Sequence, residues 1–115
     1  QIKVNGDIFS ADFCFIHKIL ICNNFYAKGS SRCSHISCLN YLVDGDSDCG
    51  DIKAEESIYI LGNSDSYSLT AVDAFIGGNA RFFNQPINVS RALYIGNPHF
   101  LYIDIRFRAT LLFSK

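Results

Sequence analysis

The sequence predicts an α+β fold, with one N-terminal helix packed on a mainly antiparallel β-sheet. Three observations predict it. Ile8/Phe9, Asp12/Phe13 and Ile16 recur at three- to four-residue intervals, the spacing of one helix face. Near the other end, Leu101, Ile103, Ile105 and Phe107 alternate with Tyr102, Asp104, Arg106 and Arg108, the period of a strand with one buried face. Between them lie short apolar runs separated by turn signals such as Lys28-Gly29-Ser30-Ser31 and Gly62-Asn63. A length of 115 residues suits one domain spanning 1–115, long enough to bury a core without metal or disulfide support.

Taken in order, the helix is expected from about Asp7 to Lys18, with Asn5-Gly6-Asp7 supplying N-cap chemistry. Lys18 to Cys22 is short and apolar and reads as a buried strand, and Asn23 to Ser37 as a loop. Leu39 to Val43 reads as a strand, followed by the acidic turn Asp44 to Asp51. Ser57 to Leu61 alternates as a strand does and stops at Gly62-Asn63. Ser66 to Gly78 admits two readings. Leu69, Val72 and Phe75/Ile76 fall at helical spacing with Gly77-Gly78 as a stop, yet the same residues suit a short strand and a glycine turn. Ala80 to Phe83, Ile87 to Ile95 and His99 to Phe113 complete the sheet as strands. No internal repeat or low-complexity stretch is expected from these runs.

Composition narrows the function classes. With 49% hydrophobic and 18% charged residues, the chain is neither a disordered tail nor a charged coiled coil. No stretch approaches about 18 uninterrupted apolar residues, the length a membrane helix needs. A net charge of −1 argues against a protein that coats phosphates with its whole surface. That charge is segregated, however. Six acids and one base lie between Asp44 and Glu56, and five bases and one acid between Arg81 and Lys115. The chain has no Met, so Gln1 is expected to mark a processed or truncated beginning.

Cys14, Cys22, Cys33, Cys38 and Cys49 suggest an oxidising compartment, with up to two disulfides and one thiol left over. Cys33, Cys38 and Cys49 fall in expected loops and are the disulfide candidates; Cys14 and Cys22 sit in apolar runs, where a thiol serves as a small hydrophobe. A zinc set of Cys33, His35, Cys38 and Cys49 lacks the spacing of any familiar finger. A Cys33–His99 nucleophile pair has no orienting third group. Asp44, Asp46 and Asp48 alternate as in a calcium loop with Glu55 downstream, but Cys49 stands where such a loop needs glycine; the alternative is a solvated acidic hairpin. Arg106 and Arg108 share one strand face and form a candidate pair for DNA phosphates. There is no glycine-rich phosphate loop and no Ser-His-Asp pattern, so no enzymatic activity is expected.

The order of Ser10-Ala11, Ile21-Cys22, Leu42-Val43-Asp44, Gly45-Asp46, Glu55/Glu56 before Ile58, and Arg106-Phe107-Arg108 resembles minor pilins and pseudopilins of the GspH/FimT type. The resemblance implies a pilin-like globular head and a subunit of a type IV pilus or type II secretion pseudopilus, acting in assembly or at the tip. Its partners would be other pilin subunits and, through Arg106 and Arg108, DNA. It also implies a missing apolar N-terminal helix, anchored in the inner membrane before assembly, and a place in the cell envelope. No cofactor follows from it; calcium at the acidic turn stays a separate reading. The alternative from another class is a secreted glycan-binding unit, either a toxin B-subunit-like domain with contacts along Asn63 to Tyr67 or a calcium-stabilised adhesin.

Overall fold

The computed structural model describes residues 1–82, 87–98, 105–106 and 110–113, and it overturns the expected class. Every regular element among them is a strand or a turn: β1 (Ile2–Lys3), β2 (Ile8–Ser10), β3 (Cys14–Ile21), β4 (Asn24–Ala27), β5 (Ser31–Val43), β6 (Ser47–Ile60), β7 (Ser64–Ser66), β8 (Ser68–Phe82), β9 (Ile87–Pro98), β10 (Ile105–Arg106) and β11 (Thr110–Phe113). All their pairings are parallel. Each joins a residue to one 16 to 19 positions further on, as Ser31 faces Ser47 and Ile76 faces Ile95. The chain therefore winds into a parallel β-solenoid, one coil stacked on the next, rather than folding a helix onto an antiparallel sheet.

The inward residues explain why the sequence suggested otherwise. In β5 they are Ser31, Cys33, Ile36, Cys38, Tyr41 and Val43; in β6, Ser47, Cys49, Ile52, Ala54, Ile58 and Ile60. Steps of two within a straight run are interrupted by a step of three or four at each bend, and each step of three flips the side-chain parity. Each coil thus carries three short straight runs with two inward residues apiece. A pattern mixing steps of two and three imitates helical spacing over short windows. The helical reading of Leu69 to Ile76 falls within β8, and the expected helix at Asp7–Lys18 is instead β2 and β3, with Phe9 and Phe13, two of the residues at helical spacing, exposed. The expected loop from Asn23 to Ser37 holds β4 and the start of β5. With the helix and the antiparallel sheet gone, the pilin-type resemblance has no fold to rest on.

Stacking places like on like. Leu20, Ile36, Ile52 and Leu69 form one interior column, and Ala27, Val43, Ile60, Ile76 and Ile95 another, all buried. Each fully buried aliphatic side chain of this size contributes about 1.5–3 kcal/mol. Phe25 and Tyr41 continue the pattern with stacked rings 5.3 Å apart.

One corner of the coil repeats most closely: Gly29-Ser30, Gly45-Asp46, Gly62-Asn63 and Gly78-Asn79. The N–H of each later glycine donates to the carbonyl of the glycine one coil before, at 3.1, 3.0 and 2.9 Å. A Cβ on Gly62 would come within 2.7 Å of the Gly45 carbonyl oxygen, so close backbone approach demands glycine there. The next residue's side chain ties the coils again. Ser30 Oγ accepts from the Asp46 N–H (3.2 Å), Asp46 Oδ1 from Asn63 (2.8 Å) and Asn63 Oδ1 from Asn79 (2.8 Å). An internal repeat is present after all, about one coil long.

Candidate functional site

The register that aligns the interior also aligns the outer surface. Phe15, Arg32, Asp48, Asp65 and Arg81 face one another in succession along the outside of five coils. The Arg32 guanidinium lies 5.6 Å from the Phe15 ring centroid, and its Nε is 3.5 Å from Asp48 Oδ2. Arg81 grips Asp65 with two hydrogen bonds, Nε to Oδ1 at 2.9 Å and Nη2 to Oδ2 at 2.8 Å. The row thus presents planar guanidinium and carboxylate groups, with the two charges in balance.

Beside this row runs a second one in which bulk is withdrawn. Ser34 turns its Oγ onto the His17 carbonyl at 2.8 Å, and Gly50 follows one coil later. A Cβ on Gly50 would stand 2.2 Å from the Ser34 carbonyl oxygen, so this dip in the wall is enforced by the backbone. The result is an open groove of about 440 Å³ with Gly50 and Ser34 at its floor and Arg32, Asp48 and Asp65 along one side. Rings close its ends: Phe15, packed 4.3 Å from His17, at one, and Tyr67 at the other. Phe15 is 52% exposed and Tyr67 57%, so both rings present apolar surface to solvent. Three coil spacings of about 4.8 Å separate the ends, giving a groove length of about 14 Å.

Past Tyr67 the outer wall continues with His35, Asp51 and Ser68, again in register. Asp51 Oδ2 lies 3.4 Å from His35 Nδ1, and Asp51 Oδ1 accepts from Ser68 Oγ at 2.7 Å. The residue types are those of a hydrolytic triad but the order is not. Serine and histidine both bind the aspartate, so the imidazole is not placed to take the serine proton. On another face Tyr59, Phe75 and Tyr94 stack at 4.7 and 4.8 Å with planes within 13°. The stack covers both faces of Phe75 and one face each of Tyr59 and Tyr94.

The residues singled out from sequence are dispersed by this architecture. Asp44 accepts a hydrogen bond from the Tyr26 hydroxyl at 3.0 Å, which pushes the tyrosine's pKa up. Asp46 caps Asn63, Asp48 pairs with Arg32, and Glu55 is exposed on β6. Among the described residues no group of three or more His, Cys, Asp or Glu is placed to hold a metal ion. Of the zinc set, Cys33 and Cys49 meet inside the coil; Cys38 lies in another interior run facing Ala54, and His35 points outward to Asp51. All five thiols are free. Arg106 stands in β10 opposite Asn88, whereas Arg108 and His99 lie outside the described residues. Sequence reading passed over Arg32, Gly50 and Phe15; only the coil offset brings them together. No protein-family model, curated protein or solved structure matches this chain.

Proposed function

We propose that this chain is a carbohydrate-binding module of adhesin type, holding a short stretch of a neutral glycan along the groove between Phe15 and Tyr67. The observation that carries the reading is the glycine-floored groove with an exposed ring at each end and a row of guanidinium and carboxylate groups along its side. Sugar hydroxyls are both donors and acceptors. Planar groups fixed by neighbouring coils meet them in pairs without a large entropy cost on binding. The apolar faces of a sugar ring suit exposed aromatic side chains, which bury large area with few rotatable bonds. The charges of Arg32 and Arg81 are balanced by Asp48 and Asp65, which disfavours a polyanion such as DNA in this groove. A pilus-subunit role is not taken up, because it depended on a helix-on-sheet head.

The test is a printed glycan array probed with the purified chain, followed by titration of the retained sugar. Wild type is expected to retain neutral oligosaccharides, and Tyr67→Ala to bind them about tenfold less tightly, a change of about 1.4 kcal/mol. Asp48→Asn is expected to weaken binding without altering the circular dichroism spectrum. A folded wild type that retains no oligosaccharide overturns the reading.

A further inference from the structure

Inside the coil, bordering the groove through Cys33, Cys49 and Ser66, lies a polar cluster that the proposed binding role does not use. Its residues come from two adjacent columns. Ser31, Ser47 and Ser64 stack in register, and Cys33 stacks on Cys49, with Ser66 following one coil later. All six are buried. The Tyr41 hydroxyl reaches into the same space from the next run, 3.1 Å from Ser31 Oγ, 2.8 Å from Ser47 Oγ and 3.1 Å from Cys49 Sγ. Ser47 Oγ adds a contact to Cys49 Sγ at 3.6 Å. Cys33, in contrast, contacts a single hydroxyl, Ser31 Oγ at 3.4 Å. Two stacked thiols therefore sit in unequal surroundings, with two hydroxyls, Tyr41 and Ser47, against Cys49 and one, Ser31, against Cys33.

We infer that Cys49 and Cys33 form a peroxide-oxidisable pair, Cys49 being the sulfur attacked first and Cys33 the one that closes a disulfide between successive coils. The electrostatics agree with that division of labour. The Cys33 thiol, then the Tyr41 and Ser47 hydroxyls, hold Cys49 below the ordinary thiol range, while hydrogen bonding to Cys49 and burial push Cys33 up. Cys38, buried in the dry run, is pushed up to about 12 by desolvation, so it stays a thiol.

The chemistry balances with hydrogen peroxide as the oxidant. The Cys49 thiolate attacks one peroxide oxygen; the S–O bond forms, the O–O bond breaks, and hydroxide leaves to become water with the proton that Cys49 gave up on ionising. Cys49 is then a sulfenic acid. The Cys33 sulfur displaces its hydroxyl, the S–S bond forms, and the hydroxyl leaves as a second water with the Cys33 proton. Two thiols lose two electrons and one peroxide gains them. Peroxide is small and uncharged, and Ser64 Oγ and Ser66 Oγ, buried without a hydrogen-bond partner among the described residues, give it polar contacts inside. Paired strands stand about 4.8 Å apart, within the Cα range of a disulfide, and closing the bond draws the two Cβ atoms together by about 1 Å. That adjustment keeps the bond open to reduction by external thiols.

The experiment treats the intact chain with hydrogen peroxide, blocks free thiols, and digests with a protease that cuts at aspartates. Cleavage at Asp44, Asp46 and Asp48 separates the two cysteines unless they are joined. The expected product links Cys49 to the Cys33 peptide, persists in Cys38→Ser, and disappears on adding dithiothreitol. Cys33→Ser is expected to leave Cys49 as a sulfenic acid that dimedone captures, Cys49→Ser to give neither product, and Tyr41→Phe to slow oxidation severalfold. Serine already occupies this column at position 66, so the serine variants suit the packing, and circular dichroism checks that they fold. Cys49 remaining a free thiol while half-exposed Cys14 is oxidised, or a cross-link through Cys38 in place of Cys33, overturns the inference.

Discussion

The interior of this solenoid has two regions that obey the same register and different chemistry. In the column of Val43, Ile60 and Ile76, every coil contributes an aliphatic side chain and nothing polar is buried. In the run containing Ser47, Cys49 and Ser64, three successive coils contribute only hydroxyls and thiols, all buried, between Ile16 on one side and Ala80 on the other. A column repeats its neighbour every 4.8 Å or so, which rewards like residues and punishes mixtures. The dry columns gain from burial at every coil. The polar ones hold only where a partner such as the Tyr41 hydroxyl satisfies them, and the unpartnered Ser64 and Ser66 mark where that support ends.

Substitutions can break or sharpen this contrast. The largest effect is expected outside both regions, at the corner they share. Gly62→Val would drive a Cβ to 2.2 Å from Asp46 Oδ1 and 2.7 Å from the Gly45 carbonyl oxygen, and the variant is expected to show no cooperative urea transition. In the dry region Ile60→Ala should lower stability by about 2–5 kcal/mol, read from the shift of the urea midpoint. In the polar region Tyr41→Phe should cost about 1–3 kcal/mol, because Ser47 and Ser31 lose their shared partner while packing is kept. Ser64→Ala carries the opposite sign: removing an unpartnered hydroxyl should leave stability unchanged or raise it by up to about 1 kcal/mol. A loss on Ser64→Ala as large as that on Tyr41→Phe would erase the distinction between supported and unsupported hydroxyls.

The smallest effect is electrostatic and lies on the surface. The Arg91 guanidinium hydrogen-bonds Asp73 and holds its carboxyl below the usual range. A depressed carboxyl contributes stability above the unfolded aspartate pKa of about 3.9 and loses it as pH falls through the folded value. Arg91→Gln should therefore flatten the acid limb of the stability profile. The difference should vanish in high salt, since both groups are exposed.

Much of this is legible in the sequence once the chain is laid out coil by coil. The strands at Leu39–Val43 and Ser57–Leu61 were readable from their own residues; the first lies within β5 and the second coincides with the end of β6 up to Ile60. The glycine corner was readable too. Gly29-Ser30, Gly45-Asp46, Gly62-Asn63 and Gly78-Asn79 fall at near-constant intervals, and aligning the chain on them exposes the coil. What hid it was variation in coil length, taken up by register shifts such as the one between Lys53 and Ser57, which blurs any fixed period. Parallel pairing was not legible from single runs, because half-buried alternation looks the same in either orientation. The groove was the least accessible. Tyr67 stood out by composition, but Arg32, Gly50 and Phe15 become neighbours only when residues a coil apart are laid side by side.

The glycine corner also bears on how the molecule comes apart. Each coil is tied only to the coil before and the coil after, through backbone bonds and the side-chain caps of Ser30, Asp46 and Asn63. Such a stack has no contact that spans its whole length, so its cohesion is a chain of nearest-neighbour couplings. Amide hydrogens should exchange fastest in the outer coils and slowest around β6, which is held by β5 on one side and β7 and β8 on the other. Force applied along the axis should peel the coils away in succession, each giving up its own row of bonds, so that the fold frays like a rope coming uncoiled.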